Sequence, residues 1–102
     1  VPKDGPSAGI AVTTAMLSAL TGRKIRGGVA MTGVVTLRGR VLPIGGLKEK
    51  TMAAYKAGIK TVIIPIANKP DLEEVDDVVK EAIEFVYAET LTDVLDTALV
   101  KK

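Results

Sequence analysis

Residues 2–9 read Pro2-Lys3-Asp4-Gly5-Pro6-Ser7-Ala8-Gly9, a short turn-forming stretch that runs directly into a long uncharged segment. Its serine and two glycines have the G-x-S-x-G spacing of a nucleophile elbow, a sharp turn that presents a serine hydroxyl at the start of a helix. A helix is predicted from Pro6 to Leu20, because proline suits the first helical position and Gly22 is a typical terminator. Apolar residues cover nearly its whole circumference, which predicts a buried helix at the centre of the fold.

Two interpretations of Ser7 are open on this evidence. In the first turn of a helix, unpaired backbone N–H groups and the helix dipole favour an oxyanion or a bound phosphate beside the serine. The backbone of Pro6, Ser7 and Ala8 is accordingly the candidate oxyanion-binding segment. Alternatively, Ser7 only helps to cap the helix.

The sequence contains no histidine and no cysteine. This excludes a Ser-His-Asp triad from this chain alone, a disulfide and a cysteine nucleophile, and it argues against a metal site. A serine nucleophile would therefore need Lys, Asp or Glu as its base. In a second helix, predicted from Leu47 to Ala57, Lys50 has apolar neighbours at helical spacing: Leu47, Ala53, Ala54 and Ala57. Lys50 is either the base for Ser7 or a lysine whose ammonium group reaches solvent along the helix surface.

Charge is distributed unevenly along the 102 residues. Residues 1–69 contain eleven Lys or Arg and two acids, a net charge of +9, whereas residues 70–102 contain three Lys and ten acids, a net charge of −7. The basic part either binds nucleic acid or pairs with the acidic part, within the molecule or between subunits; we favour the pairing. The glycine, proline and hydroxyl residues of the uncharged segment 5–22 argue against a membrane span.

Strand and helix patterns alternate along the chain without a linker or an internal repeat, so we expect a single domain over residues 1–102. This mixture predicts an α/β or α+β class. Short extended segments are predicted at 29–38 and 41–44. The later elements are predicted as a buried strand, a helix, an alternating strand and an amphipathic helix, at Lys60–Pro65, Asp76–Ala82, Ile83–Ala88 and Thr90–Val100. Because the sequence begins with Val1 rather than Met, we expect a piece of a longer chain.

Several motifs together resemble one known family. The stretch 2–9 resembles the nucleophile motif of the proteolytic domain of Lon, the ATP-dependent serine protease, in the form of its bacterial and mitochondrial branch. Similar segments follow in the same order: Ala30-Met31-Thr32-Gly33, Thr36-Leu37-Arg38-Gly39, Val41 to Lys50 and Ala53 to Ile59. The resemblance covers essentially the whole chain. It implies the α+β fold of the Lon proteolytic domain, here its C-terminal half without the N-terminal strands. The chain departs from the family at Gly28 and Val34, where acidic residues are common.

The resemblance implies a Ser–Lys dyad, with Ser7 as the nucleophile, Lys50 as the general base, and Asp4 and Thr32 as supporting residues. The implied activity is that of a serine endopeptidase acting on unfolded or damaged proteins. No cofactor is implied for this segment, because ATP and Mg would be bound by the AAA+ module of the parent chain.

The resemblance also implies a homohexameric parent enzyme, with nucleic acid as a further partner class and no membrane. The implied location is the bacterial cytoplasm, with the mitochondrial matrix as the alternative. The competing hypothesis is a non-catalytic module that binds an anion or nucleic acid through the helix N-terminus at Ser7 and the basic part of the chain.

Overall fold

The computed structural model describes residues 7–100, except for the side chains of Ser7, Ala8 and Val12. Strands and helices alternate within these residues. In chain order they are β1 (Ser7–Gly9), α1 (Ile10–Thr21), β2 (Val29–Met31), β3 (Val34–Thr36), β4 (Val41–Leu42), α2 (Leu47–Lys56), β5 (Thr61–Pro65), a 3₁₀ segment (Ile66–Glu74), α3 (Asp77–Ala82), β6 (Glu84–Ala88) and α4 (Leu91–Ala98).

A parallel three-stranded sheet in the order β2-β5-β6 lies at the centre of the described fold. All five residues of the middle strand, β5, are buried. In the register of the sheet, Val62 lies between Ala30 of β2 and Phe85 of β6. Successive side chains of a strand point to opposite faces, so β5 contributes alternately to two cores. A continuous run of Val and Ile residues is typical of a strand that is covered on both faces.

The two faces of this sheet carry separate hydrophobic cores. One core contains Ile63 and Ala88 of the parallel sheet together with residues of α1, α4 and a second sheet: Ile10, Val35, Val41, Val94 and Ala98. The other core contains Val62 and Ile64 together with residues of α2, α3 and the segments that flank α3: Leu47, Ala54, Val75, Val79 and Ile83. Helices α1 and α4 thus cover one face of the parallel sheet, and α2 and α3 cover the other.

The second sheet is antiparallel, in the order β1-β3-β4. Ser7 pairs with Thr36 and Gly9 with Val34. The ladder extends one residue further, because the N–H of Ile10 donates to the carbonyl oxygen of Gly33 at 3.2 Å. Within the described residues, β1 is an edge strand of this sheet.

The prediction that the first helix begins at Pro6 is wrong at its N-terminus. The helix begins at Ile10, and its N-cap Gly9 has an extended backbone with φ −61° and ψ 136°. The physical reason is the pairing with β3, which holds Ser7–Gly9 as a strand and defers the helix by one turn. Ser7 is therefore not in the first turn of a helix, and the dipole argument made for it no longer applies there.

The prediction that α1 is buried all round is also wrong. Ile10 and Thr14 are buried, but the opposite face of the helix is exposed, including Met16 at 61% and Leu20 at 79%. The described part of the chain supplies neighbours to one side of α1 only, through β1, β2, β3 and α4. The other predicted helices and strands from Lys60 onwards are confirmed to within about two residues of their ends, and the architecture is a mixed α+β one.

Candidate active site

Strand β1 carries Ser7. Its backbone lies opposite Thr36 at the start of the strand, and the elbow continues through Gly9 into α1. Asp4 and Pro6, the other predicted site residues of this stretch, lie outside the described residues, as do the side chains of Ser7 and Ala8. What the structure gives for this stretch is the path of the backbone from Ser7 onwards.

Lys50 is in the first turn of α2, and its side chain is exposed. The buried residues of this helix are Leu47, Thr51 and Ala54, so the stripe that faces the core passes beside Lys50 rather than through it. Thr51 fits this stripe because its hydroxyl donates to the carbonyl oxygen of Lys48 at 3.0 Å. The predicted apolar surroundings of Lys50 are therefore wrong in part, since Ala53 and Ala57 are exposed. Small alanines fit an exposed helix surface as well as a buried one.

The N-terminus of α2 follows two consecutive glycines. Gly46, the N-cap, has a left-handed backbone with φ 73° and ψ 26°. No side-chain hydrogen bond caps this end of the helix. Glycine suits this conformation because it has no Cβ to clash. The N–H of Lys50 donates to the carbonyl oxygen of Gly46 at 3.1 Å. The position of Lys50 is therefore set by how the segment 44–46 enters the helix.

Asn68 fixes that entry. Its side chain is buried, with 2% of its surface exposed. The amide oxygen accepts from the N–H of Ile44 at 2.9 Å, and the amide nitrogen donates to the carbonyl oxygen of Ile44 at 2.8 Å. The same nitrogen also donates to Oδ2 of Asp71 at 2.7 Å. Asn68 thus binds both backbone groups of Ile44, as a neighbouring strand would.

Thr32 lies directly after β2, at the carboxyl end of the parallel sheet. Its N–H donates to the carbonyl oxygen of Ile63 at 3.0 Å. Its hydroxyl is buried and has no hydrogen-bond partner among the described residues. A buried hydroxyl without a partner is costly, so this one is available to a group that the described residues do not supply.

Gly33 connects the two sheets. Its backbone has φ +117°, and a Cβ added there would lie 2.9 Å from Cγ of Pro65. Its carbonyl oxygen accepts from Ile10 at the start of α1. Only glycine allows this backbone conformation and this close approach without strain.

Three features therefore meet at one end of the fold. Thr32 follows β2, Asn68 follows β5, and the junction of β1 with α1 is bonded to Gly33 between them. The carboxyl ends of parallel strands are where sites are commonly found in sheets of this kind. A cleft of about 310 Å³ opens beside the N-terminus of α2 and is lined by Ile44, Gly45, Gly46, Leu47, Lys48, Glu49, Asp71 and Glu74.

Sequence reasoning assigned Asn68 no role. A signal was present, because an asparagine three residues after a buried strand lies near the carboxyl end of the sheet. The sequence did not indicate the hydrogen-bond partner of Asn68. Ile44 is 24 residues earlier, and nothing in the pattern pairs the two.

The basic and acidic parts of the chain do not pair through their charges within the described residues. There, the one ion pair joins Lys80 and Asp77 at 3.5 Å, and both belong to the acidic part. Two arginines instead donate to backbone oxygens around the end of α4: Arg26 to Thr97 at 3.0 Å and Arg23 to Val100 at 3.2 Å. Cationic groups are favourable at this end of a helix. The expectation of internal charge pairing is thus not met in this part of the chain.

None of the helices within residues 7–100 combines the length and apolarity that a bilayer crossing needs. Residues 7–100 likewise bring together no group of three or more acidic side chains able to hold a metal ion.

Residues 1–101 match the Lon protease (S16) C-terminal proteolytic domain. The chain is 59% identical over 99 residues to the Lon protease of Desulfosudis oleivorans, and 60% identical over 100 residues to Lon protease 1 of Myxococcus xanthus. It is 56% identical over 100 residues to Lon protease 1 of Bacillus subtilis. These alignments cover 97% or 98% of the chain, but the chain spans only 12% or 13% of the length of these relatives. The match extends over essentially every residue, so the chain belongs to the family of Lon protease C-terminal proteolytic domains.

Proposed function

We propose that the chain is the peptide-hydrolysing part of an ATP-dependent protease, with Ser7 as the nucleophile and Lys50 as the general base. The observation that carries this proposal is the family match over residues 1–101, which includes both residues. The geometry supports it, because the Ser7 strand, Thr32 and the start of α2 are tied to the same end of the parallel sheet through Gly33 and Asn68.

In the proposed reaction, Oγ of Ser7 bonds to the carbonyl carbon of the scissile peptide while the neutral amine of Lys50 takes the hydroxyl proton. The ammonium then returns this proton to the leaving amine as the C–N bond breaks, which leaves an ester on Ser7. Water hydrolyses the ester, with Lys50 again acting as the base, and both groups return to their starting forms. No histidine is needed in this cycle.

The oxyanion-binding segment predicted from the sequence, the backbone of Pro6, Ser7 and Ala8, is narrowed to one N–H group in this proposal. Pro6 has no N–H and cannot donate. In an antiparallel pair, residues alternate between exchanging bonds with the partner strand and facing away from it. Since Ile10 bonds to Gly33, Ala8 bonds towards β3 and Ser7 faces the open edge of β1. We therefore assign the oxyanion bond to the N–H of Ser7.

Supporting roles follow for Thr32 and Asp4. The buried hydroxyl of Thr32 has no partner among the described residues, which supports a hydrogen bond to the Lys50 amine in the assembled site. Asp4 belongs to the same elbow stretch as Ser7 and is proposed to orient this end of the site. Both roles rest on the family resemblance.

The wider assignments belong to the parent protein. The chain spans about an eighth of the length of its relatives, and α1 exposes an apolar face that further parts of a longer chain would cover. We propose that it is the C-terminal part of a larger proteolytic unit, attached to an AAA+ module that binds ATP and Mg. The proposed parent is a homohexamer of the bacterial cytoplasm that degrades unfolded proteins.

The competing hypothesis of an anion- or nucleic-acid-binding module loses its structural support. Its anion site needed Ser7 in the first turn of a helix, whereas Ser7 lies in β1. Two arginines of its basic surface, Arg23 and Arg26, already donate to carbonyl oxygens at the end of α4.

The test is peptide cleavage by the full-length protein carrying Ser7→Ala, Lys50→Gln or the control Lys56→Gln. Lys56 is exposed in the last turn of α2, away from the cleft, and has no proposed role. We expect Ser7→Ala and Lys50→Gln each to lower the turnover of a fluorogenic peptide roughly 10³-fold or more, with unchanged thermal unfolding and ATP hydrolysis. Lys56→Gln should cleave normally. Normal cleavage by Ser7→Ala or Lys50→Gln would refute the dyad.

A further inference from the structure

The buried amide of Asn68 makes three hydrogen bonds, which indicates a role beyond packing. Two of these bonds go to the N–H and the carbonyl oxygen of one residue, Ile44. The third bond, to Oδ2 of Asp71, fixes which way the amide faces, because a carboxylate accepts only from the nitrogen. A side chain held in this way has one orientation, and so has the backbone it binds.

The segment that Asn68 holds is the part of the chain that most needs a restraint. Ile44 is followed by Gly45 and Gly46, and glycine loses more conformational freedom on folding than any other residue. Gly46 is the N-cap of α2 in a left-handed conformation, and it has no side-chain cap of its own. The carbonyl oxygen of Gly46 then accepts from Lys50.

The contacts form a short path from Asn68 to Lys50. The amide binds Ile44, the two glycines lead into α2, and Gly46 is bonded to the backbone of Lys50. The far end of α2 is anchored separately, since Ala54 is buried and its carbonyl oxygen accepts from Ile59 at 3.0 Å. Releasing Ile44 would therefore loosen the first turn of the helix and leave its last turn in place.

We propose that Asn68 is a positioning residue for the general base, acting on Lys50 through Ile44 and the first turn of α2. This inference rests on the proposed function, because it assigns Asn68 a part in the reaction of Ser7 and Lys50. Within the described residues, the hydrogen bonds of Asn68 go to Ile44 and Asp71 and not to Lys50. Its effect is to hold the lysine where it can take the proton, and small displacements of a catalytic group cost large factors in rate.

The sharpest variant is Asn68→Asp, which preserves the shape of the side chain. Its carboxylate still accepts from the N–H of Ile44, but it cannot donate to the carbonyl oxygen of Ile44 or to Asp71. Two attractive contacts therefore become repulsive ones. In the full-length protein, we expect the kcat for a fluorogenic peptide to fall roughly 10- to 100-fold, with KM changed less than about threefold.

Two controls separate positioning from stability and from the dyad itself. Val75→Ala removes buried volume from the core beneath α2 but neither partner of the Asn68–Ile44 bonds, and it provides a variant that is destabilised but keeps the Asn68 bonds. At a temperature where each variant is fully folded, Val75→Ala should keep its normal kcat while Asn68→Asp does not. Lys50→Gln is assayed in parallel.

The outcomes are distinct. A normal kcat for folded Asn68→Asp beside an inactive Lys50→Gln would overturn the positioning role and leave the dyad intact. An equal loss of kcat in Asn68→Asp and Val75→Ala would also overturn it, because the effect would then be one of stability. Normal cleavage by Lys50→Gln would overturn the proposed function, and the inference about Asn68 with it.

Discussion

Strand β5 and helix α1 are both apolar, yet they are buried to very different extents. Ile63 and Ile64 of β5 have no exposed surface, since helices cover both faces of the parallel sheet. Helix α1 buries Ile10 and Thr14 on one side and exposes Leu20 at 79% on the other. The comparison shows that β5 is stabilised by contacts within the described residues, whereas the exposed apolar face of α1, with Met16 and Leu20, has no neighbours among them. An apolar helix face without neighbours indicates a further partner.

The largest expected change in the free energy of unfolding comes from comparing variants in these two elements. Ile63→Ala should lower the free energy of unfolding by about 2–5 kcal/mol, because it leaves a cavity in a packed core. Leu20→Ala should change it by less than about 0.5 kcal/mol, since that side chain is exposed in this chain. Urea denaturation of the 102-residue chain measures both. An equal loss in the two variants would show that α1 is covered on both faces after all.

A substitution at Gly33, where the two sheets meet, should give the next largest change in the free energy of unfolding. Gly33→Ala places a Cβ 2.9 Å from Pro65 at a φ of +117°, and we expect it to cost about 1–3 kcal/mol of unfolding free energy. Gly27→Ala is the matched control, because a Cβ there meets no atom within 4 Å. Thermal unfolding of both variants tests the difference. Equal stability of the two would mean that the junction between the sheets is not tight.

The smallest effect concerns the capping box of α4, a helix whose inner face is packed and whose outer face is polar. Thr90 accepts from the N–H of Asp93, and Oδ2 of Asp93 accepts from the N–H groups of Glu89 and Thr90. These bonds, the one from Glu89 foremost, hold the pKa of Asp93 below its usual value of 3.8. Thr90→Ala should cost about 0.5–2 kcal/mol, measured by urea denaturation.

The lowered pKa of Asp93 also gives a pH dependence with a definite sign. The stabilisation is present above the unfolded-state value near 3.8 and is lost as the pH falls through the lower folded-state value. Asp93→Asn should therefore flatten the loss of stability below about pH 4. Identical acid unfolding curves for wild type and Asp93→Asn would contradict this account of the cap.

The sequence predicts those segments of the fold whose secondary structure is determined by their own residues and not by a partner elsewhere in the chain. Strand β5 and helix α4 carry strong patterns of their own, and both were predicted to within two residues of their ends. Strand β1 was not predicted, because three residues after a proline become a strand only through their pairing with β3. The outer face of α1 was wrongly expected to be buried, since apolarity indicates what a face can bury and not whether a neighbour is present.

The same division holds for the candidate site. Ser7 and Lys50 were found from motif spacing, from the absence of histidine and from the family resemblance. The exposure of Lys50 agrees with one of the two interpretations of its sequence position, a lysine that reaches solvent, because the register of α2 turns Leu47, Thr51 and Ala54 to the core. Asn68 escaped sequence reasoning because its hydrogen-bond partner, Ile44, lies 24 residues earlier in the chain. Its place after a buried strand indicates where in the sheet it lies, but not which backbone segment it binds.

The most direct test of the account is the distance between Oγ of Ser7 and Nζ of Lys50 in an experimental structure of the full-length protein. The dyad predicts that these atoms lie within hydrogen-bond reach, about 2.6–3.2 Å, with Lys50 enclosed by covering parts of the parent chain. An intact domain in which the two atoms are far apart and Lys50 points into solvent would contradict the central claim.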